Sequence, residues 1–244
     1  MLKNTFTLIF ILTLFFVSCK KKDSTPTPAS STTGSTTGLT PSTGGDYSDL
    51  QTTYMYTNTG GIVNKDSSVF ASFYSAPVTS VSPAYVYAGT VTLNGSNIDY
   101  QGTFYYPIGQ VPNIAGPLTW SISGSSTVTA FTCSFVPNYP KYTGGNLLPD
   151  TCVKASGITI NISGVTNNLN SVNISIYCGG SNLSKYIIGS NGSVSFTPAE
   201  IANFPAHNSL TIIVTLSNLY SAIFNGKKQG FANTIQYTKY SYLK

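Results

Sequence analysis

Arginine is absent from the 244 residues, and charge of either sign is scarce: Lys, Asp and Glu together make up 8% of the chain. The planar fork that reads phosphates and base edges in two-pronged fashion is therefore missing. A formal net charge of +5 would otherwise suggest nucleic acid. From residue 46 onward, however, eight lysines face six carboxylates, and only Lys227 and Lys228 are adjacent. No basic stripe forms, and nucleic acid is excluded as a partner.

Histidine is reduced to His207, in the turn-like stretch Pro205-Ala206-His207-Asn208. No Gly-x-Ser-x-Gly elbow accompanies it, so it reads as a surface loop residue. The remaining acid–base inventory of the body is Asp46, Asp49, Asp66, Asp99, Asp150 and Glu200. Asp66 and Asp99 sit beside turns, where Asp is commonplace. Asp46-Tyr47-Ser48-Asp49 lacks the alternating oxygen ligands and glycine of a calcium loop. Glu200 belongs to Thr197-Pro198-Ala199-Glu200, a capping box with proline at the first helical position, which predicts a helix of one or two turns over 198–203, ended by Pro205. General acid–base catalysis needs positioned groups of matched pKa, and glycosidases need a close carboxylate pair. The expectation is a protein that is not an enzyme, with no cofactor.

Long apolar runs are missing too. Phe6 to Val17 is the longest, twelve residues interrupted by Thr7 and Thr13, and a membrane-spanning helix needs about 20. A single positive charge before it, Lys3, gives it the form of an export signal. The run stops at Phe16-Val17-Ser18-Cys19. This resembles the lipobox of bacterial lipoproteins, cut by signal peptidase II, in which a small residue precedes a cysteine that becomes the acylated N-terminus. The resemblance implies a signal peptide over 1–18 and lipid attachment at Cys19. Lys20, Lys21 and Lys22 would then sit at the headgroups and reinforce the anchor. A bacteroidete-type lipoprotein is implied, held in the bacterial outer membrane. Surface export in that group resembles a signal rich in acidic residues after the cysteine; Asp23 alone fits it, so surface exposure is expected and a periplasm-facing position stays open.

Residues 24–45 hold eight Thr, five Ser, four Gly and three Pro, with only Ala29 and Leu39 apolar. Such a segment cannot bury a core. Residues 19–45 are expected to be lipid anchor plus disordered tether, the latter with a mean reach of about 25 Å.

Three cysteines follow: Cys133, Cys152 and Cys178. A Cys₃His zinc site with His207 lacks the C-x₂₋₄-C spacing, and no metal is expected. Cys178 shares parity with Val172, Ile174 and Ile176 and reads as a buried thiol. Cys133 and Cys152 flank a proline-rich stretch and are the expected disulfide, with Cys152 to Cys178 as the alternative.

What the chain has in abundance is strand signal. Alternating stretches recur at 50–57, 68–74, 85–93, 98–106, 118–123, 128–136, 157–162, 172–178, 186–188, 194–197, 210–219 and 234–243. Turn residues punctuate them, with hairpin signals at Asn94-Gly95, Asn191-Gly192 and Asn225-Gly226. Pro137, Pro140, Pro149 and Gly144-Gly145 mark a linker. The expected fold is all-β: two β-sandwich-type domains at 46–137 and 150–244, joined by a linker at 138–149. The second, by strand number and length, resembles an immunoglobulin-like sandwich module, without the Cys-Trp-Cys framework.

Aromatics supply the functional signal, with 17 Tyr and 13 Phe. Tyr85 and Tyr87 share one strand face, Val86 and Ala88 the other. Flat tyrosine faces stack on sugar rings, and they also fill cores. Trp120 shares parity with Leu118 and Ile122 and belongs to the core. The sequence thus predicts a lipid-anchored envelope protein acting as a non-catalytic binding module for glycan or protein. A structural surface or pilus-type component is the alternative, and a hydrolase the second.

Overall fold

The structure, a computed structural model, describes residues 34–36, 39–41, 46–78, 80, 83–142, 148–162, 165–166, 171–188 and 192–244. The signal segment, Cys19 and much of the tether lie outside the described residues, as does Asn191 of one expected turn.

The fold is all-β. In chain order the strands are β1 (Gly34–Thr36), β2 (Thr40–Pro41), β3 (Ser48–Thr59), β4 (Ile62–Phe73), β5 (Val91–Leu93), β6 (Ser96–Tyr100), β7 (Tyr105–Tyr106), β8 (Leu118–Ile122) and β9 (Phe131–Phe135). Then come β10 (Lys141–Tyr142), β11 (Thr151–Cys152), β12 (Ile158–Asn161), β13 (Val165–Thr166), β14 (Ser171–Cys178), β15 (Ser181–Ile188), β16 (Ser193–Phe196), β17 (Asn208–Phe224) and β18 (Lys227–Leu243). A continuous path of pairing runs β1-β9-β8-β5-β6-β7-β4-β3-β18-β17-β14-β15, and β10-β13 and β12-β16 form small separate ladders. Among the described residues, no helix is long and apolar enough to cross a membrane.

Turn chemistry sets the hairpins. Asn94 and Gly95 (φ 52° and 78°) join β5 to β6, and Asn225 and Gly226 (φ 49° and 75°) join β17 to β18. Both are two-residue turns with positive φ at each position, whose twist matches that of the flanking strands. Gly89 breaks the stretch expected as one strand at 85–93: its φ is 79°, and a Cβ there would lie 2.1 Å from Gly124 O. Only its end forms β5.

Side-chain alternation divides the long sheet into two faces. The inner face carries two hydrophobic clusters. One gathers Leu50, Ala71 and Phe73 with Val91, Leu118, Trp120 and Phe131, and includes Ala222, Phe224 and Phe231 from the last hairpin. The other gathers Val172, Ile174, Ile176, Leu210, Ile212 and Val214 under Ile158, Ile160, Val194 and Phe196 of the β12-β16 ladder. The paired 17-residue strands β17 and β18 serve both clusters. Between the clusters the inner face turns polar. Tyr139 OH donates to Thr52 Oγ1 (2.8 Å), Thr52 Oγ1 to Asn233 Oδ1 (3.3 Å), and Asn218 Nδ2 to Asn138 O (2.6 Å). Residues 138–139 of the expected linker are thus hydrogen-bonded to the sheet.

Three expectations are corrected. Parts of the Thr/Ser tether are strands: Gly34–Thr36 pairs with β9 in parallel, and Thr40–Pro41 with β17. Backbone groups at a sheet edge seek partners whatever the incoming side chains are, so poverty in apolar residues does not prevent docking. The capping box at Thr197 forms, with Thr197 N donating to Glu200 Oε2 (2.7 Å) and Glu200 N to Thr197 Oγ1 (3.3 Å), but no regular helix follows. A bond from Ile201 N to Thr197 O closes one turn, and Lys154 Nζ then takes the carbonyls of Ala202 (2.8 Å) and Phe204 (2.7 Å). Finally, Cys133 and Cys152 are buried as thiols and not bridged. Cys133 lies two residues from Phe131, whose ring stacks on Phe224, whereas Cys152 pairs with Leu243. These are opposite ends of the last hairpin, on the order of 40–50 Å apart, against the 4.4–6.8 Å between Cα atoms that a disulfide requires. Cys178 is buried as expected, its thiol 3.5 Å from Pro205 O.

Candidate functional site

The acidic residues hold the fold together. Asp99 Oδ2 accepts from Ile108 N (2.9 Å), Asp66 Oδ1 from Ser67 N (2.7 Å), and Asp150 pairs with the buried Lys239 ammonium at 2.5 Å. Glu200 completes its turn and pairs with Lys185 (2.8 Å). Bonds from Lys185 and from Thr197 hold its carboxyl down at about 2. His207 is exposed in a turn with φ 57°. Asp46 lies 3.6 Å from Lys228. Asp49 differs from the rest: burial first, and the Asp46 charge second, push its carboxyl up from 3.8 to about 6. It stands on the outer face of β3 opposite Ser72. Among the described residues, no group of three His, Cys, Asp or Glu side chains is placed to hold a metal.

The aromatic side chains divide by strand parity. In Phe104-Tyr105-Tyr106 at most alternate rings can face inward, and Tyr105 does, at 1% exposure. Its hydroxyl accepts from Ala88 N (2.7 Å) and donates to Gly89 O (3.1 Å), and burial pushes its pKa upward. Ser125 Oγ donates to Tyr87 O (2.7 Å) in the same stretch. These bonds fix 85–89 with Ala88 buried and Tyr85 and Tyr87 exposed, but the segment is not a strand, and the shared face expected for the two tyrosines does not form: Tyr85 packs on Tyr74 and Tyr87 on Tyr100 and Tyr105.

Phe104 and Tyr106 point to the outer face. Phe104 lies 5.5 Å from Phe70 of β4 and 5.8 Å from Tyr106, centroid to centroid. Two outward positions further along β4 comes Tyr74, 5.3 Å from Tyr85, and Ser72 between them donates to Tyr74 OH (2.8 Å). A strip of rings thus runs beside β4: Tyr85 and Tyr74 at one end, Phe70, Phe104 and Tyr106 at the other. Asp49 lies on the neighbouring strand. Tyr87 and Tyr100, 5.0 Å apart, stand on the opposite side of the same corner, next to Tyr105. Exposure is 52% for Tyr85, 42% for Tyr87, 39% for Tyr100 and 41% for Tyr106.

The exposure of Tyr85 and Tyr87 was legible from their alternation with Val86 and Ala88; their separation to two sides of the corner was not. Phe70, Phe104 and Tyr106 were not singled out, because they reach the strip from separate strands. The available signal was the run of three consecutive aromatics. Trp120 is fully buried, as its parity predicts.

The arrangement offers ring faces on a rigid backbone, phenol hydroxyls at their rims, and few unengaged charges. Ring faces of this kind stack on flat, partly apolar groups. No family model matches the sequence, and comparison with curated proteins gives no match. A solved structure described as "Structural insight into host cell surface retention of a 1.5-MDa bacterial ice-binding adhesin" is similar to this chain at 10% identity and a TM-score of 0.20. The likeness covers 80% of this chain and 66% of that one, so this chain spans just under two thirds of the length of the solved chain it matches. At this TM-score, function rests on the site itself.

Proposed function

We propose that this chain is a lipid-anchored cell-envelope protein whose folded body is a non-catalytic glycan-binding module. The observation that carries the reading is the strip of rings on the outer sheet face, exposed at Tyr85 and Tyr106 and half-buried at Tyr74, Phe70 and Phe104. Sugar rings present apolar C–H faces that stack on such side chains, and their hydroxyls exchange hydrogen bonds with phenol and serine groups. Hydrolysis has little support, since Asp66, Asp99, Asp150 and Glu200 are each engaged in turns or ion pairs.

Affinity electrophoresis of the full lipidated chain in detergent, through gels containing laminarin, xylan, galactomannan or hydroxyethyl cellulose, tests the reading. Retardation in at least one gel, weakened by Tyr85→Ala with Tyr106→Ala and without release of reducing ends, is expected. Equal mobility in all gels, or reducing-end release lost on Asp99→Asn or Asp150→Asn, overturns it.

The anchor is proposed at Cys19 on the lipobox resemblance, with the outer membrane, facing outward, as location. Metabolic labelling with an alkynyl fatty acid should mark the wild type and leave Cys19→Ser unlabelled. Label persisting on the serine variant would place the anchor elsewhere.

A further inference from the structure

Two sheet edges beside the first cluster are filled by the segment that leads back to Cys19. β9 ends its layer of the folded body, and its outer edge takes Gly34–Thr36, with Thr36 opposite Cys133. In the facing layer β14 pairs with β17 from Leu210 to Ser217, and beyond that point the same edge takes Thr40 opposite Ser221 and Pro41 opposite Tyr220. The two edges enclose one core, since Phe131 of β9 stacks on Phe224 of β17 at 4.6 Å. Leu39 is half-buried against that core. Gly34–Thr36 and Leu39–Pro41 thus form a clasp, with one short strand on each layer and an apolar side chain on the core that the layers share.

The clasp decides from which end of the body the chain leaves toward Cys19. Gly34 lies opposite Phe131, at the end of the molecule where Asn225 and Gly226 close the last hairpin. The other end, where Leu243 meets Asn208 and Cys152, is about 50 Å away along β17 and β18. Residues 20–33 alone connect Cys19 to Gly34. A chain of that length has a coil reach of about 20 Å and a full extension of about 50 Å, so the far end could meet the lipid only with the chain pulled straight. Without the clasp the connection would be residues 20–45, whose extension of about 90 Å lets any part of the body lie on the membrane. Lys227 and Lys228 stand at the hairpin end as well. Lys227 Nζ donates to Thr127 O (3.3 Å) and Lys228 faces Asp46 (3.6 Å), so orientation does not rest on their charge.

We propose that this clasp orients the anchored protein, with the Asn225-Gly226 end toward the lipid surface and the second cluster, with β14, β15 and the Asn208 end, held outward. The membrane partner of the body is thus its hairpin end, and the surface offered to the surroundings is the opposite one. The inference rests on acylation of Cys19 and goes beyond it, because a lipid on a long leash leaves every orientation open. It gives residues 34–41 a role that a spacer does not have.

Two measurements on the full lipidated chain test the proposal. In amide hydrogen exchange, the slowest amides of 34–41 should exchange about tenfold or more slowly than those of 24–33, because strand pairing protects them. Equal rates overturn the clasp. The second measurement places a donor fluorophore on Ile223→Cys, at the hairpin end and 66% exposed, or on Val153→Cys, at the far end and 48% exposed. Cys133, Cys152 and Cys178 are buried and escape the label. The chain is reconstituted in neutral phosphatidylcholine vesicles whose headgroups carry the acceptor. Energy transfer from Ile223→Cys should exceed that from Val153→Cys about twofold or more, given their separation along the strands. Ser35→Pro/Thr36→Pro/Leu39→Ser removes ladder donors and the apolar contact and should bring the two values together. Equal transfer from both sites in the unaltered clasp, or an undiminished difference in the triple variant, overturns the orientation. Transfer from neither site means that the chain is not held on the vesicle, which overturns the anchor at Cys19 and the orientation with it.

Discussion

Asp49 is the one carboxylate of the body pushed well above its ordinary range, to about 6, by its burial on the sheet and by Asp46. A raised carboxyl favours the protonated folded state. Its contribution is therefore fully present below 3.8 and is lost as pH rises through 6. Two pH units correspond to about 3 kcal/mol at most, and partial exposure of the side chain reduces this to about 1–2 kcal/mol. Asp49→Asn should stabilise the protein by that amount at pH 7.5 and by almost nothing at pH 3.5. Urea unfolding at the two pH values, followed by Trp120 fluorescence, reads the difference; an equal gain at both would assign the effect to something other than titration. Tyr105 makes a second point at this scale. Tyr105→Phe removes the acceptor of a buried Ala88 N–H and should cost about 1–3 kcal/mol. It should also loosen the presentation of Tyr85 and Tyr87, visible as weaker polysaccharide retardation. Neither role could be read in advance, since Asp49 acquires its environment from β4 and β18, and Tyr105 its partners from a stretch seventeen residues away in sequence.

At the scale of elements, local chemistry explains what was legible. Asn94-Gly95 and Asn225-Gly226 announce their turns because few other pairs accept positive φ twice in succession. Gly60-Gly61 and Gly179-Gly180 carry the same geometry and join β3 to β4 and β14 to β15. They belonged to the same class of signal and were missed. Alternation likewise placed Trp120, Ala88 and Cys178 inward. Pairing partners escaped the sequence, because β18 lies between β17 and the distant β3 through backbone bonds that leave no mark in composition. Gly230 shows how tight that junction is. A Cβ there would lie 2.7 Å from Ser48 O, a backbone atom of the adjacent strand. Its backbone is not in the left-handed region, so the penalty of Gly230→Ala is steric, about 1–3 kcal/mol. Gly116→Ala, where a Cβ meets nothing within 4 Å, should be neutral. Thermal unfolding of the two variants side by side decides whether the parallel contact of β3 with β18 is as close as described. The edge at β15, unpaired on its far side among the described residues, is managed differently. Lys185 turns inward to Glu200 (2.8 Å) and Ser195 O (2.6 Å), a charge that opposes pairing with a further strand.

For the whole molecule, the sequence suggested two domains divided by a linker, and the physical question is whether the two clusters unfold separately. Their apolar sets are distinct, but β17 and β18 run unbroken through both, and residues 138–139 bond to Asn218 and Thr52 at the polar seam. Strand pairing within one hairpin is cooperative across its length. Fraying the Asn208 end exposes Ile212 and Val214 and removes ladder bonds that orient Ala222 and Phe224. Loss of the second cluster should therefore destabilise the first. Ile174 is fully buried in the second cluster, and Trp120, the single tryptophan, is fully buried in the first. Ile174→Ala should cost about 2–5 kcal/mol through lost contacts and a residual cavity. If the molecule unfolds as one unit, the urea midpoint read from Trp120 falls with that read from far-ultraviolet circular dichroism, and the two curves superimpose. Independent domains would instead leave the Trp120 transition where it stands in the wild type, while the dichroism curve splits into two steps.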